Sequence, residues 1–179
     1  MSQSEIAALL PQALAVVTAD QIAAYAPQIM AKLSGPQLEA IAPQVIAKLS
    51  GSQLAAIAPQ AIAFLSADQI ASLAPAAMSK MNGDQVAELA PSVMSRLSAG
   101  QVRALRPSAI AMLSPEQVTG LAARAVSGLR PSQVAQLDPE VLADFSQAQL
   151  KALRASAVAA LTPDQLAELT PAQRRMLDD

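Results

Sequence analysis

The sequence predicts an all-α fold, a right-handed α-solenoid of about eleven 16-residue repeats with two short helices in each. Two observations lead to this fold. Bulky apolar residues recur with a fixed period of 16 from one end of the 179 residues to the other, and each repeat carries two signals that open a helix. The predicted repeats begin at residues 1, 17, 33, 49, 65, 81, 97, 113, 129, 145 and 161. We expect one elongated domain over residues 1–179, with residues 173–179 as its C-terminal cap.

The apolar residues occupy the first, sixth, ninth and fourteenth places of a repeat. In the repeat that begins at residue 49 they are Leu49, Leu54, Ile57 and Ile62. The spacing alternates between five and three residues, so each repeat consists of two similar halves of eight residues. Each half is predicted to be one helix, and the four apolar places are predicted to form a thin core.

The first helix of each repeat is predicted from its second and fifth places. Ser or Thr followed three residues later by Gln is the capping-box arrangement, as in Ser66 and Gln69. Gln occupies the fifth place in ten of the eleven repeats, and Glu5 replaces it in the first. Such a line of amides could offer hydrogen bonds to a ligand. A helix-opening device that every repeat needs is the simpler interpretation.

The second helix is predicted from proline at the eleventh place, which nine of the eleven repeats contain; Ala123 and Ala155 are the exceptions. Proline suits the first position of a helix and forces the residue before it out of the helical region. Each helix is therefore limited to about six or seven residues, or about 10 Å, and is too short to be stable alone. Stacked as eleven two-helix turns, the chain would extend to about 100 Å.

Two other architectures fit the sequence less well. A β-solenoid is disfavoured because alanine and glutamine dominate, β-branched and aromatic residues are few, and no alternation of period two occurs. A single long helix or a coiled coil is excluded by the 13 prolines, most of which recur once in every repeat.

The composition argues against several functional classes. The chain has no Cys and no His, and therefore no disulfide, no thiolate zinc site and neither the cysteine nucleophile nor the commonest general base. We expect no catalytic residues, no metal and no cofactor. Twelve basic residues against 14 acidic ones lack the positive excess of a nucleic-acid-binding protein.

The apolar stretches do not indicate membrane insertion or a signal peptide. No Lys or Arg precedes the first apolar stretch, Pro11 interrupts it, and no run of 18 apolar residues is free of charge and proline. A cytoplasmic location is the default expectation, with export by a leaderless route as the alternative.

Charged residues recur at two places of the repeat. Lys32, Lys48, Lys80 and Arg96 share the sixteenth place, in a row that Phe64 interrupts. They are expected near helix C-termini, where a cation is favourable. Carboxylates share the fourth place, within the first turn of the first helix, where the helix dipole favours anions; these are Asp20, Asp68, Asp84, Glu116 and Asp164. Two of them in successive repeats could approach each other for acid–base chemistry, but no pocket, nucleophile or metal is predicted beside them.

A candidate interaction surface lies in the first half of the chain. An alanine-rich face lets another backbone approach closely at little cost in side-chain entropy, although alanine is also the best filler for short helices. The first repeat has larger apolar residues where others have Ala or a cation, and these either dock against a partner or fold inward over the end of the core. The candidate residues are Leu10, Val16, Ala23, Ala24, Ala31, Ala55 and Ala56. The expected partner is another protein or a second copy of the chain.

The octet L-S/T-x-x-Q-I/V-x-A resembles short tandem motifs in very large bacterial surface and secreted proteins. That resemblance covers the whole chain and implies a spacer or structural segment. The segments LSPEQVTGLA (113–122) and LTPDQLAELT (161–170) also resemble the opening of repeats in TAL effector DNA-binding proteins. The second resemblance stops after ten residues, the TAL effector repeat is about twice as long, and the basic stripe for phosphates is missing here. We therefore expect no nucleic-acid partner.

These observations favour a non-enzymatic structural role: a scaffold, a rigid spacer or a self-assembling rod. The alternative is a module that binds a protein or peptide on one face of the superhelix.

Overall fold

The computed structural model describes residues 11–178, and this part of the chain contains α-helices and no strand. The 21 helices of the described part follow one another about every eight residues. They are α1 (Pro11–Leu14), α2 (Ala19–Ala23), α3 (Pro27–Met30), α4 (Gly35–Glu39), α5 (Pro43–Ile46), α6 (Gly51–Ala56), α7 (Pro59–Ile62), α8 (Ala67–Ser72), α9 (Pro75–Met78), α10 (Gly83–Ala87), α11 (Pro91–Met94), α12 (Ala99–Ala104), α13 (Pro107–Ile110), α14 (Pro115–Gly120), α15 (Ala123–Val126), α16 (Pro131–Val134), α17 (Pro139–Ala143), α18 (Gln147–Ala152), α19 (Ala155–Val158), α20 (Pro163–Glu168) and α21 (Pro171–Asp178). The predicted α-solenoid is confirmed.

The even-numbered helices begin with the predicted capping box. At α8 the Gln69 backbone N–H donates to Ser66 Oγ over 3.2 Å, and the Ser66 backbone N–H donates to Gln69 Oε1 over 2.8 Å. At α16 Arg130 stands in the place of the serine, yet its backbone N–H still donates to Gln133 Oε1, over 2.8 Å. The glutamine therefore holds the helix start even where the serine is replaced.

The odd-numbered helices begin at the predicted prolines. Ala58, the residue before Pro59, is extended (φ −61°, ψ 137°), and Pro59 is the first residue of α7. The helices α15 and α19 begin with Ala123 and Ala155 instead, and their preceding residues are extended as well. The residue before each odd-numbered helix is therefore extended even where no proline follows it. The chain must leave the helical conformation there in order to turn, and proline reinforces this.

The helices stack in a different order from the expected one. Each helix packs chiefly on the third helix along the chain, as α3 does on α6, α11 on α14 and α17 on α20. One sequence repeat contains two helices, so a turn of the superhelix takes more than one repeat, and the expectation of one two-helix repeat per turn was wrong. With between three and four helices per turn, the 21 described helices make about six turns. At the usual helix-packing distance of about 8–10 Å, six turns correspond to a length of about 50–60 Å.

The core contains the four predicted places and two more. In the repeat that begins at residue 49, Leu49, Leu54, Ile57 and Ile62 are at most 4% exposed. The thirteenth place is buried too, with small residues such as Ala109. The fifth place of the repeat, which the glutamines occupy, is buried as well. One continuous core therefore runs along the solenoid.

No helix in the part of the chain that the structure describes is both long and apolar enough to cross a membrane.

Candidate interaction surface

The glutamines of the fifth place form a buried ladder. They are 0–4% exposed from the third repeat onward; the members are Gln37, Gln53, Gln69, Gln85, Gln101, Gln117, Gln133, Gln149 and Gln165. Glutamine is mostly found on protein surfaces, and burying an amide is costly unless its polar atoms are hydrogen-bonded. A role confined to the exposed start of a helix does not explain this burial.

Gln85 illustrates how each amide of the ladder is used. Its Oε1 accepts from the backbone N–H of the cap residue Asn82 over 3.1 Å. Its Nε2 donates to the carbonyl oxygens of Leu54 and Ile57, over 2.9 and 2.8 Å, which lie 31 and 28 residues earlier. The amide thus opens its own helix and also holds the C-terminal end of a helix one turn below.

The same long-range bonds repeat along the solenoid. Gln53 donates to the carbonyls of Ile22 and Tyr25, and Gln165 donates to those of Val134 and Leu137. No buried side-chain nitrogen or oxygen of the described residues lacks a hydrogen-bond partner. These amides are therefore engaged within the chain, so the idea that they offer hydrogen bonds to a ligand was wrong, and the idea of a helix-opening device alone was incomplete.

One feature of the sequence could have indicated this burial. The cap residue varies among Ser, Thr, Asn and Arg, whereas the fifth place is Gln in every repeat from Gln21 to Gln165. A capping box accepts Glu as readily as Gln. A strict preference for Gln therefore points to a use for the amide N–H groups, which the capping box does not need. The acceptors of those N–H groups lie 28 and 31 residues away.

An ion pair joins the two charged places of the repeat. Arg96 Nη2, at the sixteenth place, donates to Asp68 Oδ1, at the fourth, over 3.0 Å, and the two residues are 28 apart. The turn of the superhelix thus brings a sixteenth place beside a fourth place, and not the fourth-place carboxylates of successive repeats beside each other. Among the described residues, no cluster of His, Cys, Asp or Glu could hold a metal ion.

Glu116 is the fourth-place carboxylate with a resolved change in acidity. Its own backbone N–H and the Ser114 hydroxyl donate to the carboxylate and lower the pKa of Glu116 below its ordinary value. The Glu116 side chain is exposed at the first turn of α14, so this effect stabilises the charge where the helix dipole already favours it. It agrees with the expectation that the helix dipole favours anions at the fourth place.

Removing the charge of Asp68 tests whether its ion pair with Arg96 contributes to stability. We expect Asp68→Asn to lower the free energy of unfolding by about 0.5 kcal/mol more than Asp84→Asn at low salt, because an exposed ion pair contributes little. Asp84 is the matched control, since it also lies in the first turn of its helix, while the residue at the position equivalent to Arg96 is Met112. Urea unfolding of both variants at low salt and at about 1 M salt measures the difference, which salt should remove. Equal losses at low salt would contradict the pairing.

The sixteenth-place row is built on small residues of the turn below. Phe64 lies across Gly35 and Met112 across Gly83, so that both apolar side chains are only about half exposed. Lys80 lies across Gly51 in the same way. These sixteenth-place side chains therefore pack on helix starts of the turn below.

The candidate interaction surface is exposed for the most part. Val16 is 79% exposed, so the idea that Val16 folds inward as a cap was wrong. The exposed alanines are Ala23, Ala24, Ala31 and Ala55. Ala56 is half-buried against the core, which withdraws it from the surface. Leu10 lies outside the described residues.

In the segment predicted as a C-terminal cap, Gln173 makes bonds like those of the ladder, although it lies at the thirteenth place of its repeat. In α21 the Gln173 backbone N–H donates to Thr170 Oγ1, and Gln173 Nε2 donates to the Ala143 carbonyl over 2.7 Å. Beside this helix lies an open cavity of about 260 Å³, whose lining includes Leu150, Leu153 and Leu177. It is smaller than typical small-molecule sites, which span about 300–1,000 Å³. Its volume does not point to a small-molecule site.

No protein-family model matches this chain, and no curated protein matches it. The structure therefore establishes the class, a tandem repeat of short helices, without a specific family.

Proposed function

We propose that the protein is a non-enzymatic structural element, a scaffold or rigid spacer that holds what lies at its two ends at a fixed separation. The observation that carries this proposal is the glutamine ladder, which joins each turn to the turn below it by pairs of buried hydrogen bonds. The octet's resemblance to tandem motifs of large bacterial surface and secreted proteins points the same way.

The ladder opposes bending because of where its bonds lie. Bending a solenoid opens the contact between successive turns on one side. Here that would separate a buried amide such as that of Gln117 from the carbonyls of Val86 and Leu89, to which it donates over 2.9 and 2.7 Å. A buried donor that loses its acceptor is costly. Each turn thus resists opening by the same local device.

The separation of labelled sites tests the spacer function. The chain has no Cys, so Val16→Cys and Ala172→Cys place two spin labels on exposed residues near opposite ends of the described solenoid. Pulsed dipolar spectroscopy should give one narrow distance distribution, in the range of about 50–60 Å that about six turns predict. A broad distribution or several separate peaks would contradict a rigid spacer.

A second pair of labels serves as the control. Val16→Cys with Ser92→Cys spans about half as much of the chain between exposed positions. Because the turns are repetitive, the mean distance of this pair should be about half that of the long pair, with a similarly narrow width. A compact fold without regular turns would not produce this proportionality.

A further inference from the structure

Residues that lie about 28 positions apart in the chain are neighbours on successive turns of the solenoid. Arg96 contacts Asp68, and Gln133 donates to the Leu105 carbonyl; the two residues are 28 apart in both cases. One turn therefore takes about 28 residues, and residues about 14 apart lie on opposite sides of the solenoid. This spacing assigns each exposed charge to a side.

The eight acidic residues between positions 84 and 168 lie on one side of the solenoid, here called the acidic side. Glu88, Glu116 and Asp144 follow one another at intervals of 28 residues, so they form a column along the solenoid. All eight acidic residues are exposed. Counted in residues, the other five lie within about a quarter turn of this column; they are Asp84, Asp138, Glu140, Asp164 and Glu168.

The seven basic residues of the same segment lie on the opposite side, here called the basic side. Arg130 follows Glu116 by 14 residues and precedes Asp144 by 14, so it lies half a turn from the acidic column. Arg130 is half-buried, and the other six basic residues are exposed. These six lie within about a quarter turn of Arg130; they are Arg96, Arg103, Arg106, Arg124, Lys151 and Arg154.

This separation leaves the charges of the segment without ion pairs among themselves. The structure describes all of residues 84–168, and the ion pair of Arg96 reaches Asp68, which lies outside that segment. Along the acidic column, like charges follow one another at about the 8–10 Å between stacked helices, and they repel one another. A surface that mixes the two signs avoids this repulsion. An oppositely charged partner on each side would relieve it.

A second copy of the chain matches both sides at once. It presents seven cations to eight carboxylates. The charges of both sides recur with the same spacing, because the turn of one and the same solenoid sets it. A partner that carries only one sign of charge would neutralise one side and leave the other exposed. Charge complementarity therefore favours the chain itself as the partner.

We infer that copies of the chain associate side by side, with the acidic side of one copy on the basic side of the next. This inference rests on the proposed structural function and names the partner as the chain itself. Because the two sides differ, the contact is heterologous and generates open arrays of copies. Exposed ion pairs contribute little individually, so the contact depends on many of them and weakens as salt is added.

The test reverses three exposed charges on one side at a time in the full chain. Each reversal changes the charge by two, so the acidic side goes from −8 to −2 and the basic side from +7 to +1. The acidic-side variant combines Glu88→Lys, Glu140→Lys and Asp144→Lys, and the basic-side variant combines Arg103→Glu, Arg124→Glu and Arg154→Glu. The control variant reverses three exposed cations outside the segment, Lys32→Glu, Lys48→Glu and Lys80→Glu, and matches the basic-side variant in net charge.

Sedimentation velocity measures the outcome at protein concentrations up to about 1 mM, in the range of weak specific association. At about 0.01 M salt, where screening is weak, the wild type and the control variant should shift to masses above the dimer. The two side variants should each stay monomeric, and an equimolar mixture of them should stop at the dimer, since each retains one intact side. At about 1 M salt all of them should be monomers. Circular dichroism and urea midpoints at that salt should match the wild type, which separates loss of association from loss of folding.

Three results would overturn the inference. The first is a wild type that stays monomeric at low salt; if it then binds polyglutamate, the basic side serves an acidic partner instead. The second is association that persists in both side variants or at about 1 M salt. The third is equal loss of association in the control variant, which would make net charge the cause.

Label distances measured at about 1 M salt, where the copies separate, test the spacer function independently of this contact. Narrow label distances in a chain that stays monomeric at low salt would leave the spacer function standing without the interface. Broad label distances would remove the spacer function whether or not the chain associates.

Discussion

Replacing Gln101 by Ala should lower the free energy of unfolding by about 2–4 kcal/mol, close to the loss expected for a core leucine. Gln101 Nε2 donates to the carbonyls of Ile70 and Leu73 over 2.8 and 2.9 Å, and the side chain is 2% exposed. The substitution removes these donors, leaves a void and also deletes half of the capping box with Ser98. Losing the cap alone would cost only about 1 kcal/mol.

The matched control is Gln21→Ala, in which the same atoms are removed from an exposed glutamine that caps a helix but reaches no carbonyl of the described residues. Its cost should be about 1 kcal/mol or less. Urea unfolding followed by circular dichroism measures both variants beside Leu105→Ala, whose expected cost is about 2–5 kcal/mol. If Gln101→Ala costs no more than Gln21→Ala, the buried amide bonds contribute nothing net to stability.

The pH dependence of the stability of Gln101→Glu distinguishes the accepting role of the Gln101 side chain from its donating role. The introduced carboxyl keeps an oxygen for the Ser98 N–H, but once ionised it cannot donate to the Ile70 and Leu73 carbonyls. Burial beside carbonyl oxygens raises the pKa of this carboxyl above its unfolded value. A raised pKa of an acid means that stability is retained below the unfolded pKa and lost as pH rises through the folded pKa. The variant should therefore be closest to wild type near pH 4, at about the unfolded pKa of Glu. Urea midpoints of the two proteins across this range measure the effect, and a difference that does not change with pH would contradict it.

The local half of this network could be predicted from the sequence, and the long-range half could not. The bond between Ser66 and Gln69 joins residues three apart, so the capping-box spacing alone predicts it. The bonds from Gln69 to the carbonyls of Leu38 and Ile41 join residues 31 and 28 apart. They depend on how many helices make a turn, which follows from the angle at each extended linker and not from the period of the sequence repeat.

The same limit applies to the candidate surface and to the charged places. The apolar places predicted a core, because burial of Leu54 or Ile62 follows from their spacing within one octet. The pairing of Arg96 with Asp68, and the packing of Phe64 on Gly35, required knowledge of which residues lie one turn apart. Each of these contacts joins helix starts and helix ends of adjacent superhelical turns. A single measured contact of this kind would have fixed the register of all the others.

Replacing Gly128 by Ala should destabilise the protein by about 2–3 kcal/mol, the usual cost of overpacking a close contact. Gly128 is buried at the sixteenth place, between α15 and α16, directly against the first residue of α12. A Cβ on Gly128 would overlap the backbone carbonyl oxygen of Ala99. Since that neighbour is backbone and not a flexible side chain, the turn itself has to shift.

Gly100→Ala is the control and should have the opposite sign. The nearest atom to a Cβ at Gly100 is Pro75 Cγ at 3.7 Å, which is ordinary van der Waals contact, and no glycine of the described residues has a positive φ. Gly100 lies inside α12, where alanine is preferred over glycine by about 0.5–1 kcal/mol. The two Gly→Ala variants should therefore move the urea midpoint in opposite directions, and equal shifts would contradict a close approach at Gly128.

The double variant Ala99→Gly with Gly128→Ala tests the cause of the loss. At three other turns a glycine at the third place lies beneath a larger sixteenth-place side chain, as Gly51 does beneath Lys80. Ala99→Gly recreates that pairing, so the methyl group introduced at position 128 gains room once the helix start moves aside. We expect the double variant to be more stable than the sum of the two single losses predicts, by about 1 kcal/mol, within the coupling usual for residues in contact. Strict additivity would show that the Ala99 side chain plays no part in the contact and that the backbone overlap alone sets the cost.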